Sequence, residues 1–442
     1  MPRHQIPGNE GREKALRKQD LIPPKHPPLK TDQNSRRKFL FDATALAIGT
    51  AWASADVGAQ QPATTTERNA NPQHANGMFD WQFPTKDAEK TWRDQSFSID
   101  RWWGDFAHDL PYQMDMFADN PWAVGPFTKY SGNPVLAPTP GAWDQGHFSG
   151  GVHNGSILVK DGRFYYVYRG ERPIDVTQKS DIDYICDIGV AASDDGMHFT
   201  KDTEHSPFFR TGDDRRYSYE DVNLVKQGDT YYLFCNQWLW ERQGDTSING
   251  TFMATSNDLL HWTKSGIVFP HAARTHRNAV VLQNPHNEAV KVDGKYVMYI
   301  NDGLIAYSTN MVHWESRDNP HHWPGGECCF ALADYNPARP DDIILFTGGA
   351  HTGHFYAVGE VLLSKADTEK PLQWLPRSPL FAELKYPFEN GFTATEPHKL
   401  ISSFSDCIFF NGLTRHEGKW WLYYGGSEYY TCLATAAVTQ RS

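Results

Sequence analysis

Positive charge is scarce in this chain. Its 442 residues carry 42 Lys and Arg against 53 Asp and Glu, a formal net charge of −11 at pH 7, and no basic stripe runs along it. A phosphate backbone is gripped by clustered Lys and Arg, so nucleic acid is excluded as a partner. Cysteine is sparse too. Cys186, Cys235, Cys328, Cys329, Cys407 and Cys432 are the full set, and none shows the C-x-x-C spacing of a zinc site. They read as core fillers in strands rather than as a disulfide framework. The run from Phe41 to Ala53, interrupted by Asp42, is only about 13 mildly apolar residues and too short to cross a bilayer. No stable membrane anchor is expected. Long segments of helical period are absent beyond about residue 130, and no cofactor or metal is expected.

What is present is aromatic. Phe, Trp and Tyr make up 14% of the chain, with 15 Trp and 20 Tyr, the composition of a soluble, strand-forming globule. Four regions follow from the composition. Residues 1–59 form the first: residues 1–35 are basic and Pro-rich, and Ser35-Arg36-Arg37-Lys38-Phe39-Leu40 opens the weakly apolar run. This resembles a twin-arginine export signal, which implies a periplasmic or secreted protein. Residues 60–77 form a polar linker. Residues 78–130 hold Trp81, Trp92, Trp102, Trp103 and Trp122 and read as an aromatic-rich arm that closes the following domain or makes a homodimer contact. Residues 131–442 are the folded domain.

That domain repeats. A turn with Gly followed by an aromatic strand recurs at Asp161-Gly162-Arg163-Phe164-Tyr165, Gly228-Asp229-Thr230-Tyr231-Tyr232, Asp293-Gly294-Lys295-Tyr296 and Glu417-Gly418-Lys419-Trp420-Trp421. Each is the signature of a hairpin. A fifth hairpin, around Asp341-Asp342, lacks the Gly. Downstream of the first three lies a second phrase, Ser193 to Phe199, Ser256 to Trp262 and Ser308 to Trp314, which reads as a structural staple at an outer turn and not as a site for His198, His261 or His313. Five hairpins with unequal loops predict an all-β fold, a five-bladed β-propeller with an N-terminal arm.

In a propeller the innermost strands start at one mouth, so the polar residues just before each hairpin are the site candidates. Blade one supplies Asp144, His153 and Asn154. Blade two supplies Glu220 and Asp221 after Tyr219, blade three Asn284-Pro285-His286-Asn287-Glu288, blade four Glu327, and blade five Asp406. His351 follows an inner strand and faces the same funnel on this reading. Arg169 is a fork for carboxylates or hydroxyls, whereas Glu171, Asp183 and Asp187 read as rim-loop residues.

The order N-P-V-L-A-P from Asn133, Y-R-G-E at Tyr168 to Glu171, Y-E-D at Tyr219 to Asp221 and Y-Y-G-G-S-E at Tyr423 to Glu428 resembles glycoside hydrolase family 130, the β-mannoside phosphorylases and hydrolases. More loosely it is similar to family 43. The likeness spans roughly residues 130–436. It implies a glycosidase that cuts an oligosaccharide or polysaccharide from a chain end by general acid/base catalysis, with inversion. By that resemblance Asp221 is the orienting carboxylate and Glu288 the acid, while His153-Asn154 stand where a blade-one Asp is the base. Asp406, Asp144 or His153 is then left for the water side. Glu220, His286, Glu327, His351, Arg169 and Glu428 fall to substrate binding. No block of cations for phosphate is evident, which favours hydrolysis. The alternatives are a non-catalytic carbohydrate-binding propeller and a phosphorylase.

Overall fold

The computed structural model describes Phe117 and residues 120–147, 150–173, 184–209, 217–240, 246–270, 276–321, 327–351, 355–375, 387–390 and 407–438. The export signal, the linker, most of the arm, Asp183, His354 and Asp406 lie outside the described residues. The described strands form five antiparallel sheets, the predicted five-bladed β-propeller. Blade one is β2 (Val152–Lys160), β3 (Arg163–Pro173), β4 (Tyr184–Ser193) and β5 (Thr200–Lys201). Blade two is β6 (Tyr217–Gln227), β7 (Thr230–Trp240), β8 (Thr246–Ser256) and β9 (Thr263–Ile267). Blade three is β10 (Val280–Val281), β11 (Lys291–Val292), β12 (Lys295–Ile300), β13 (Leu304–Ser308) and β14 (Glu315–Asp318). Blade four is β15 (Glu327–Ala333), β16 (Asp342–His351), β17 (Phe355–Ser364) and β18 (Gln373–Leu375). Blade five is β19 (Ile408–His416), β20 (Lys419–Gly426), β21 (Tyr430–Ala437) and, from the other end of the domain, β1 (Thr128–Lys129).

The repeated phrases do what their chemistry predicts. Asp161-Gly162 links Lys160 to Arg163 with φ of 54° and 80°, the twist that matches a two-residue hairpin. Ser193, Ser256 and Ser308 each accept backbone N–H groups of the following turn, and Asp195, Asp258 and Asn310 accept the next two. The staple is structural in all three copies.

The core lies between the blades. Five clusters of buried apolar side chains fill the five interfaces, for example Leu158, Val190, Val222 and Leu233 between blades one and two. Each such side chain contributes about 1.5–3 kcal/mol. All six cysteines are buried and free.

The arm closes the ring. Thr128 and Lys129 pair with Thr435 and Ala434, so the closing strand starts just before the expected boundary at 131. Phe117, Trp122, Val124 and Phe127 are buried in the cluster between blades four and five. Lys129 Nζ lies 2.8 Å from Glu389, a fully buried carboxylate that also accepts from Tyr424 Oη.

Blade three departs from the sequence reading. Its inner strand begins at Val280, not at Ala289, and is interrupted by an inserted loop, Asn284 to Glu288. The Asn287 amide side chain donates to the Leu413 carbonyl of blade five, the Asn287 backbone carbonyl accepts from Lys226 N of blade two, and Arg415 N donates to the Pro285 carbonyl. Blades three and five are not ring neighbours, so this loop crosses the axis and plugs the lower mouth. Asn287 is completely buried.

Candidate active site

The upper mouth is built by a repeated irregularity. The inner strands of blades one, two, four and five each carry one extra residue against their partner, after His153, Glu220, Cys328 and Phe410. In blades one and two the bulge is led by a residue in the left-handed region, Asn154 at φ 46° and Asp221 at 54°, and Asn278, two residues before β10 of blade three, adopts the same conformation at 47°. Asn and Asp tolerate that conformation better than other side-chain-bearing residues. A bulge re-aims side chains, and here Asn154 and Asp221 meet across the first two blades while Asn236 links Asp221 to Asn278. Asn154 Nδ2 donates to Asp221 Oδ1 at 3.0 Å, and Asn236 Nδ2 donates to Asp221 Oδ2 at 2.9 Å and to Asn278 Oδ1.

Beside this belt lies Arg169 of β3. Its guanidinium contacts Glu171, reaches Glu220 at 3.1 Å and Asp221 at 3.5 Å, and is buried. Glu171 also meets His147 and, at 3.0 Å, His153. Burial opposes its charge, but Arg169 and the two histidines outweigh burial and hold its carboxyl well below the usual range. Burial pushes Asp221 up, with Glu220 and Glu327 adding to the rise against the pull of Arg169 and Asn154. Glu327, at the start of β15, pairs with Arg277 at 3.4 Å. Glu428, in the turn between β20 and β21, is pushed up to about 7 by burial, reinforced by Glu171 and Asp221 and opposed by His153 and Arg169.

The mouth therefore gathers His153, Asn154, Arg169, Glu220, Asp221, Glu327 and Glu428 from the sequence candidates. It does not gather the others. Glu288 is exposed, 3.9 Å from Lys226 at the far end of β6, because the loop before it is the axial plug and not the start of a strand. His286 is exposed in the same loop, beside a hollow of the lower face lined by Val159, Thr414, Arg415 and His416. Asp144 is buried on the other side of the blade-one sheet, bonded to Tyr168 Oη at 3.0 Å and Lys201 Nζ at 2.5 Å, and has a structural role. His351 ends β16, opposite Phe355, with its side chain outside the described residues.

Sequence reasoning assigned Glu171 to the rim and missed Asn236, Arg277 and Asn278, while His147, in the Trp143-to-His147 run offered for blade one, does reach the cluster through Glu171. Glu171 is no rim residue, and neither is Asp187, which is buried on β4, 3.8 Å from Arg172. The signal for Glu171 was the strand period: two residues after Arg169, it shares its face. Among the described residues no group of three or more His, Cys, Asp or Glu side chains is arranged to hold a metal.

The propeller and its single acidic mouth define the class of architecture. The chain matches no protein-family model and no curated protein, and its likeness is to solved structures. A glycosyl hydrolase from Bacteroides ovatus is 22% identical over 71% of this chain and 94% of its own, with a TM-score of 0.55. A structure described with the family 130 mannoside phosphorylases, which contain glycoside hydrolases that target β-1,2-mannosidic linkages in Candida mannan, is 22% identical over 72% of this chain and 97% of its own, with a TM-score of 0.56. The β-1,2-mannobiose phosphorylase from Listeria innocua, in complex with β-1,2-mannobiose, is 18% identical over 71% and 97%, with a TM-score of 0.52. The likeness establishes the five-bladed fold.

Proposed function

We propose that the chain is an exported glycoside hydrolase that cleaves a glycosidic bond of an oligosaccharide with carboxylate acid/base chemistry and inversion, β-mannosides being the first substrates to test. The observation that carries this reading is the buried cluster in which Arg169 fixes Glu171, Glu220 and Asp221 while Glu428 stands beside them with a raised pKa. Carboxylates held in different protonation states are what acid/base glycoside cleavage requires. The likeness in fold to the glycosyl hydrolase and to the family 130 structure supports the same reading.

Phosphorolysis is the second reading, favoured by the likeness to the mannobiose phosphorylase. It needs free cations for a phosphate dianion. Arg169 is already committed to three carboxylates and Arg277 to Glu327, which favours water as the acceptor. Reducing-sugar release from a panel of β-mannosides and other glycans, with and without phosphate, tests both. Release that does not depend on phosphate is expected. Strict phosphate dependence would establish the phosphorylase, and binding without turnover would leave a carbohydrate-binding propeller. Export belongs to the proposal as well. Arg36→Lys with Arg37→Lys should strand the protein in the cytoplasm, and an unchanged periplasmic yield would refute it.

A further inference from the structure

We propose that Glu428 is the proton donor to the leaving glycosidic oxygen, an assignment that rests on the glycosidase reading above. Its backbone is the first evidence. Ser427 and Glu428 are consecutive residues in the left-handed region, at φ 51° and 55°, a strained conformation for residues other than Gly. The turn is held against that strain from two blades. Ser427 N donates to the Cys407 carbonyl at 2.8 Å and its hydroxyl donates to the Glu389 carbonyl. The Glu428 carbonyl accepts from Gly151 N at 2.9 Å, and the next carbonyl accepts from Val152 N at 3.0 Å. A strained turn fastened on both sides places the Glu428 carboxyl at the junction of blades five and one, in the field of His153, Arg169, Glu171 and Asp221.

Contrast with Asp221 divides the roles. Both Asp221 oxygens accept amide N–H groups, and Oδ1 also faces Arg169, donors that favour its anion against the burial that raises its pKa. Among the described residues no donor reaches the Glu428 carboxylate, which is half-buried while Glu171 and Glu220 are sealed. Burial first, and then the negative neighbours Glu171 and Asp221, keep its proton in place near neutral pH. In the step, the bond between the anomeric carbon and the glycosidic oxygen breaks, its electron pair stays on that oxygen, and the oxygen takes the Glu428 proton. Water adds to the anomeric carbon and yields its proton to Asp221, so atoms and charge balance.

Glu428→Gln and Glu428→Asp in the full chain test this on whichever glycoside the wild type cleaves. On a natural glycoside the Gln variant should lose about 10²–10⁴-fold in kcat/KM. On a nitrophenyl glycoside of the same sugar, whose leaving group needs no proton, most activity should remain. The basic limb of the wild-type pH profile should lie near the Glu428 pKa of about 7 and vanish in the Gln variant, while the Asp variant keeps a basic limb. Equal losses on both substrates, or an unchanged pH profile, would overturn the donor assignment and leave the glycosidase reading standing. A wild type that cleaves neither substrate class overturns the glycosidase reading, and the donor with it.

Discussion

Replacing Arg169 by Met would leave Glu171, Glu220 and Asp221 facing one another without the guanidinium that they share. Removing one partner from a buried charge cluster costs about 3–5 kcal/mol, so Arg169→Met is expected to lower unfolding free energy by that amount in urea titration. A loss below about 1 kcal/mol would mean the cluster is far better hydrated than its burial implies. Glu428 gives a prediction of opposite sign. Its folded pKa of about 7 lies above the unfolded value of about 4.3. The fold therefore favours the protonated form, a stabilisation fully present below pH about 4.3 and lost as pH rises through about 7. Glu428→Gln, a permanent stand-in for that form, should melt like wild type at pH 4 and at higher temperature than wild type at pH 8. A Tm difference that does not vary with pH would remove Glu428 from the field of the cluster.

At the scale of elements, the stapled turns carry a simple test. Ser308 Oγ accepts from Asn310 N at 3.2 Å and Met311 N at 3.0 Å, much as a capping hydroxyl does at a helix start. Ser308→Ala should cost about 1 kcal/mol, read by thermal melts, with no change at the upper mouth. These turns and the hairpins were legible in the sequence because Gly, Asp and Ser are there for reasons of local backbone chemistry. The mouth was legible only in part. Glu220, Asp221 and Glu327 were found because they lie at or near the starts of inner strands of plain pattern, and Arg169 because it stands in the Y-R-G-E run of β3. Glu288 was misplaced because Asn284-Pro285-His286-Asn287 has the composition of a turn before a strand, and only tertiary contacts reveal that it is an insertion across the axis. Asn154, Asp221 and Asn278 share one conformation, yet nothing in three separate stretches of sequence announces it. Asn236 bonds Asp221 within blade two but also Asn278 of blade three, a contact made only in the folded ring.

For the whole molecule, closure is the feature on which stability turns. Phe117, Trp122, Val124 and Phe127 are all buried against blades four and five. At about 1.5–3 kcal/mol each they hold together an amount comparable to the about 5–15 kcal/mol by which domains are stable at all. A chain beginning at Tyr130 also loses β1 and the Lys129 partner of Glu389. It is expected to lack a cooperative thermal transition, whereas a chain beginning shortly before Phe117 should retain one. A cooperative melt in the shorter chain at an unchanged Tm would show that the ring closes without its arm.

The plug at the lower end governs traffic. Because the loop around Asn287 spans from blade three to blades two and five, the axis is a well with one opening. Whatever reaches the acidic cluster must arrive and depart through the same opening, so a long polymer cannot be threaded through the ring and advanced by one unit per cut. On the proposed glycosidase reading, each cleavage would be followed by full withdrawal of what remains inside, and a departing fragment would stand in the path of the next arrival.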